Sequence, residues 1–333
     1  MHKCMVLAPV PSDGTSTARA WGILPLMKKK ADIDFIRAEG SIDWSHVAAV
    51  DSVFLQRSFM PAQVQLARLA RDLGKPVIVD YDDDLFCVPK DNPTHPTYSQ
   101  AWAQENIRQS CQMASVVMAS TEVLADKLRP FNPNVRVVPN ALNLDLLKPL
   151  PQELSRNPIV VWRGSHTHVR DIQEHTPAIM EAYEKFPNFS FFFVGYDPWW
   201  ITEKMAPERC QTVPFDGSYV NFMRNMAKIR GAIQIVPLAD SPFNRAKSNI
   251  AFLEGSFAGS VVLGPDFPEW KQTPCVQYTG PDGFRNQLFE LMATPFDKLA
   301  AQAAVGYDWV QRYRNLNLMT ELRIDIFRQF AGL

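Results

Sequence analysis

The chain has no C-x-x-C pair, no glycine-rich dinucleotide fingerprint, no excess of either charge and no apolar run near the roughly 20 residues that cross a bilayer. Each absence removes a class. Cys4, Cys87, Cys111, Cys210 and Cys275 are scattered and odd in number, which argues against a structural zinc site or a disulfide framework and suits a reducing cytoplasm. The opening apolar run, Met5 to Ala8, is too short for the core of a signal peptide, so a cytoplasmic location is expected. Residues 1–152 carry 16 basic and 16 acidic side chains and the remainder 18 and 19. With neither half basic, bulk charge favours no nucleic-acid partner. What is present is globular: 333 residues, 46% hydrophobic and 21% charged, enough for two domains.

β-branched runs recur at Met1–Pro9, Ile33–Arg37, Ser52–Gln56, Pro76–Tyr81, Ser115–Ala119 and Val135–Val138. Helical patterns lie between them, at about Ala18–Lys30, Pro61–Leu73, Tyr98–Met113 and Glu122–Phe131. The alternation resumes at Pro158–Trp162, continues through Phe189–Gly195, Thr212–Phe215, Ala232–Pro237 and Ser260–Leu263, and reaches Val276–Tyr278. This is the pattern of an α/β protein with parallel sheets covered on both faces, whose ligands bind beyond the carboxyl ends of the strands. Pro149-Leu150-Pro151 reads as a stiff linker, which divides the chain into residues 1–151 and 152–309, with a last helical stretch over 310–333.

Three stretches carry chemistry. Asp80-Tyr81-Asp82-Asp83-Asp84 sets four carboxylates in five residues at a strand end, where they must be solvated, protonated or neutralised by a cation. That run suits a solvated acidic loop, a metal-binding D-x-D element, or a group that orients an acceptor hydroxyl. Arg163-Gly164-Ser165-His166-Thr167-His168 opens the second half's first loop; its two histidines lack a nearby third ligand and are a weak zinc signal. Phe243 to Glu254 follows a buried strand and predicts a helix with Ile250, Phe252, Leu253 and Phe257 on one face, capped by Ser241 or Asn244. Lys247 and Ser248 then fall in its first turn, where an anion is favoured, with Glu254 nearly two turns on.

The segment F-N-x-x-K-S-x-x-x-x-L-E at Phe243–Glu254, the V-x-P-N element at Val137–Asn140 and Gly164-Ser165-x-Thr167-His168-x-x-Asp171 resemble group 1 glycosyltransferases of the GT-B fold. The resemblance implies two Rossmann-like domains facing a cleft, an acceptor side first and a donor side second, with the last helix crossing back. It implies a nucleoside diphosphate sugar as donor substrate, a retaining transfer to a hydroxyl, and no permanent cofactor or catalytic metal. On that footing Lys247, the Ser248 N–H and either Arg163 or Arg170 hold the diphosphate, beside Gly164 and Ser165, and Glu254 takes the ribose. Pro214 borders the nucleobase, Asn244 or His168 meets the sugar, Gly14 and Thr15 line the cleft, and Asp82 and Asp83 act on the acceptor. Many members carry a glutamate at the position of Ala246. A glycan or small hydroxyl compound is the expected acceptor, with hydroxymethylated DNA as the alternative. The helix ending at Lys28-Lys29-Lys30 could touch an anionic membrane surface. Two rivals remain: a metal-dependent GT-A-like transferase built on Asp80–Asp84, and a non-catalytic protein that binds sugar nucleotides.

Overall fold

The computed structural model describes residues 1–9, 14–38, 44–147, 157–215 and 217–333. The boundary expected near Pro151 and the start of the loop before Gly14 lie outside the described residues. Six parallel strands form the first sheet: β1 (His2–Leu7), β2 (Ile33–Arg37), β3 (Ser52–Gln56), β4 (Val77–Tyr81), β5 (Val116–Ala119) and β6 (Val135–Val137), in the order β2-β1-β3-β4-β5-β6. Every residue of β3, β4 and β5 is buried, because helices cover both faces and leave no side for polar residues. The second sheet holds β7 (Asn157–Gly164), β8 (Ser190–Gly195), β9 (Cys210–Pro214), β10 (Gly231–Ile235), β11 (Val261–Pro265) and β12 (Val276–Tyr278), in the order β12-β11-β10-β7-β8-β9. Two parallel α/β sheets is the architecture the sequence implies.

Strand order reverses beside β1 in the first sheet and beside β7 in the second. The crevices at those reversals are where open α/β sheets bind ligands. Gly14 and Thr15 follow β1, while Ser165 to His168 follow β7. At the mouth of β7 the backbone is tightly packed. Gly195 has φ +101°, and a Cβ there would stand 2.3 Å from the Gly164 carbonyl, which instead accepts from Tyr196 N at 2.9 Å. A side chain at Gly195 is therefore excluded both by its backbone conformation and by the neighbouring strand.

Three helices differ from the sequence expectation. Ala18–Lys30 is not continuous: a π-type turn, Thr17–Trp21, gives way to Leu24–Lys30. Pro25 lacks an N–H and so belongs in the first turn of a new helix. Phe243–Phe257 is also split, into Pro242–Arg245 and Ile250–Phe257. Residues Ala246–Asn249 form the connection, so Lys247 and Ser248 precede the second helix rather than lie in its first turn. Ser241 caps the short helix by accepting from Asn244 N at 3.1 Å, whereas the Asn244 side chain turns elsewhere. The last stretch breaks at Arg314, between Phe296–Tyr313 and Leu316–Ala331.

Leu316–Ala331 packs on the first sheet. Phe327 stacks on Phe54 of β3 with ring centroids 6.5 Å apart, and Ile324 joins Val6, Ile78 and Met118 in the same core. Helix Ile250–Phe257 is buried on nearly every side, as a helix apolar all round must be. It presses on β10 through Gly255, where a Cβ would come within 2.6 Å of Gln234, and Gln234 Nε2 donates to the Ala251 carbonyl at 2.7 Å.

Candidate functional site

The acidic run is not a solvated loop. Asp80 and Asp84 are fully buried, and each of the four carboxylates has its own basic partner. Burying an unpaired carboxylate costs several kcal/mol, roughly, so partners are obligatory here. Asp80 takes a two-pronged contact from Arg19, at 2.9 and 2.7 Å, and lies 3.6 Å from Arg323 of the last helix. Asp84 pairs with Lys127, whose ammonium also donates to the Pro242 carbonyl at 3.3 Å. These two carboxylates serve the scaffold. Among the described residues no three His, Cys, Asp or Glu side chains are grouped to hold a metal ion.

Asp82 and Asp83 face the crevice. Arg57 reaches Asp82 at 3.0 and 3.1 Å through Nη2, Asp83 at 3.4 Å, and Thr15 Oγ1 at 3.4 Å. Arg57 itself follows β3 with φ +53°, a left-handed conformation that costs a side-chain-bearing residue on the order of 1–3 kcal/mol and recurs at functional sites. Burial opposes its charge, but Asp82 and Asp83 outweigh burial and raise its pKa. The same cluster drives the two carboxyls apart. Burial, with the charge of Asp83, lifts Asp82 above the usual range; for Asp83 burial is outweighed by Lys247 and Arg57, and its pKa falls.

Lys247 comes from the other sheet, and its Nζ lies 3.4 Å from Asp83 Oδ1. The connection that carries it is pinned on both sides. Thr121 Oγ1 donates to the Ala246 carbonyl at 2.8 Å, and Asn140 Nδ2 donates to Ser248 Oγ at 2.7 Å. Both contacts join residues of the first sheet's loops to the segment after β10. Asn140 Oδ1 meanwhile accepts from Arg19 Nη1 at 3.0 Å, so the buried Arg19–Asp80 pair also steadies the residue that holds Ser248.

Deeper in the second half, Glu254 pairs with Arg163, the penultimate residue of β7. Burial raises the pKa of Glu254, while Arg163 and the Tyr219 hydroxyl oppose that rise. Arg163 Nε and the Tyr219 hydroxyl are buried without a well-aligned hydrogen-bond partner, an arrangement suited to a polar ligand group. Tyr219 also marks the crevice's width. A Cβ on Gly14 would lie 3.5 Å from Tyr219 Cδ2, so the loop after β1 meets the second half at that ring.

The loop after β7 is organised by Asp171. Its Oδ2 accepts from His168 Nδ1 at 2.8 Å, and its Oδ1 accepts from Ala239 N at 3.0 Å and Asn244 Nδ2 at 2.7 Å. Burial disfavours this carboxylate's charge, but His168 foremost, with the Ala239 N–H and the charge of Lys247, brings its pKa below the usual value. Burial, reinforced by Lys247 and Arg163, lowers the pKa of His168 against the pull of Asp171. The imidazole is therefore neutral near pH 7, with its proton on Nδ1 and Nε2 left to accept.

Other expected residues are placed apart from this centre. Arg170 is half exposed and lies 3.6 Å from Asp91, whereas Arg163 shares the crevice with Glu254. Ser165 caps the turn His166–His168 through Thr167 N at 3.3 Å. His166 is exposed, while His168 is turned to Asp171. Pro214 ends the edge strand β9 and is exposed. The sequence did not single out Arg57, Thr121 or Tyr219. Arg57 had one visible signal, a basic residue directly after a buried strand.

No model of a protein family matches the sequence, and no curated protein sequence does either. Solved structures do. An Escherichia coli trehalose-6-phosphate protein bound with UDP-2-fluoro glucose matches with TM-score 0.66 at 12% identity, over 99% of both chains. A glycosyltransferase from Rickettsia africae matches with TM-score 0.67 at 15% identity, over 99% of this chain and 98% of that one. A putative UDP-N-acetylglucosamine 2-epimerase from Listeria monocytogenes matches with TM-score 0.55 at 12% identity, over 93% and 94%. With two parallel six-stranded sheets and near-complete coverage by such structures, the chain has the GT-B fold.

Proposed function

We propose that the chain is a glycosyltransferase that moves a sugar from a nucleoside diphosphate to a hydroxyl acceptor. The observation that carries this is the meeting of Lys247 with Asp83 in the crevice at the carboxyl ends of both sheets. Support comes from the fold, shared with a protein bound with UDP-2-fluoro glucose and with a glycosyltransferase.

Lys247, the Ser248 N–H and Arg163 take the diphosphate, and Glu254 takes the ribose hydroxyls beside Tyr219. Arg163 is chosen over Arg170 because it shares the crevice with Glu254, while Arg170 is turned to Asp91. His168, neutral and fixed by Asp171, offers Nε2 to a hydroxyl of the transferred sugar, with Asn244 holding the same carboxylate. Asp82 and Asp83 orient the acceptor hydroxyl. The chemistry then needs a stabilised diphosphate leaving group and shielding of a developing oxocarbenium ion, which preorganised cations and N–H groups provide. Protein cations serve in place of a metal in this scheme, and transfer proceeds with retention. Residues 1–151 form the acceptor side and 152–309 the donor side, with 310–333 returning to the first. The acceptor is a glycan or small hydroxyl compound, since neither half is basic enough to grip a duplex.

The test is a thermal-shift screen of sugar nucleotides, followed by product analysis with and without chelator. A ligand that binds only the folded state raises the melting temperature. Transfer or slow donor hydrolysis that survives chelator is expected. A strict divalent-cation requirement traced to Asp82 and Asp83 would replace the metal-free scheme with metal-dependent transfer on the GT-B fold, and conversion of the sugar nucleotide to its epimer would replace transfer altogether.

A further inference from the structure

Four charges alternate across the crevice: Asp82, Arg57, Asp83 and Lys247. The first contact is close, with Arg57 gripping Asp82 at 3.0 and 3.1 Å. Asp83 is held more loosely, 3.4 Å from Arg57 Nη2 and 3.4 Å from Lys247 Nζ, and the Lys247 and Asp83 side chains are 18% and 25% exposed. The residues on either side of Lys247 are nevertheless pinned. Thr121 holds the residue before it and Asn140 the residue after it. The backbone that carries the ammonium is thus fixed, and the ammonium lies over the Phe243 ring, while its loosely held anionic partner is the replaceable member.

A nucleoside diphosphate offers more charge and more acceptor oxygens than one carboxylate, and so competes well for a positioned ammonium. When it does, Asp83 is not stranded. Arg57 remains 3.4 Å away, and Thr15 and Asp82 share the same guanidinium. We infer that Asp83 is a positioning residue that occupies Lys247 until the donor displaces it, and only then turns to orient the acceptor hydroxyl. This rests on the donor assignment made above and adds to it an order of events. The donor completes the acceptor site, so the acceptor binds second, and an empty enzyme presents Asp83 already engaged. Asp83 also lowers donor affinity, because its pairing with Lys247 must be broken first.

Calorimetry on the full chain tests this. UDP, ADP, GDP, CDP and dTDP are titrated into the wild type, and the tightest is carried to Asp83→Asn, Asp83→Ser, Lys247→Ala and the double variant Asp83→Asn/Lys247→Ala. Asp83→Asn is expected to bind about two- to fivefold tighter, the scale on which a partly exposed ion pair competes. The gain should shrink at high salt, which screens exposed charge. In the Lys247→Ala background most of it should vanish. Should Asp83→Asn fold poorly, Asp83→Ser carries the comparison, with melting curves reporting folding. Equal or weaker binding by the folded Asp83 variants overturns the inference, as does the same gain with and without Lys247, which would reflect plain repulsion. If the wild type binds none of the five nucleotides, the donor assignment itself fails and this inference falls with it. Binding that Lys247→Ala leaves unchanged removes Lys247 from the donor site.

Discussion

Thr121 Oγ1 accepts from Leu124 N at 3.1 Å and donates to the Ala246 carbonyl at 2.8 Å. One hydroxyl therefore caps the helix Glu122–Leu128 in the first half and fixes the residue before Lys247 in the second. Its proton and lone pair are both engaged, so no other small side chain except serine reproduces it.

Replacing Thr121 with valine keeps the volume and removes both contacts. Loss of the cap costs about 0.5–2 kcal/mol, and the buried Ala246 carbonyl left without a partner costs on the order of 1–3 kcal/mol. A combined loss of roughly 2–4 kcal/mol is expected in denaturant unfolding, with Thr121→Ser close to wild type. A valine variant as stable as the wild type would show that the contact across the crevice contributes nothing.

Asp80 gives a contrasting expectation within the same acidic run. Its carboxylate is fully buried between Arg19 and Arg323, and Asp80→Asn leaves two guanidinium groups without a counter-charge. Breaking a buried ion pair costs about 3–5 kcal/mol, so unfolding should shift by that scale. Nucleotide affinity of the molecules that remain folded should change by less than about threefold, because Asp80 reaches the donor side only indirectly, through Arg19 and Asn140. A loss of nucleotide binding at unchanged stability would move Asp80 from scaffold to site.

Much of the layout was legible in the sequence because parallel strands buried on both faces leave uninterrupted runs such as Val77-Ile78-Val79. The acidic run was visible too, but not its partners. Arg19 lies 61 residues from Asp80 and Arg323 far beyond, and no local pattern announces a pairing made by tertiary packing. The split of Phe243–Phe257 was hidden for a related reason. Apolar spacing carries on through Ala246–Asn249, while the contacts from Thr121 and Asn140 hold that connection out of the helix. Arg57 was missed because a positive φ at a residue other than glycine has no sequence signature.

Glu269 supplies a pH dependence. Burial pushes its carboxyl up to about 7, against the attraction of Arg314 3.6 Å away. A carboxyl with a raised pKa binds its proton more tightly folded than unfolded, so its contribution to stability is present at low pH and is lost as pH rises from the ordinary carboxylate value towards 7. Between pH 5 and 8 the wild type should therefore lose roughly 2–3 kcal/mol relative to Glu269→Gln. Parallel stability–pH curves for the two proteins would place the carboxylate's pKa near its usual value.

The measurement that bears most directly on the account is donor-nucleotide calorimetry on the wild type and Lys247→Ala, with a melting curve for each. Lys247 lies in the connection between two helices and, among the described residues, its side chain pairs with Asp83 and lies over the face of Phe243, so the fold should survive its removal. The diphosphate would lose a charge-assisted contact worth about 1.5–3 kcal/mol, or roughly ten- to 150-fold in affinity. A drop on that scale with a melting temperature near that of the wild type is the predicted result. Unchanged affinity in a folded Lys247→Ala protein would contradict it and take the donor site away from this crevice.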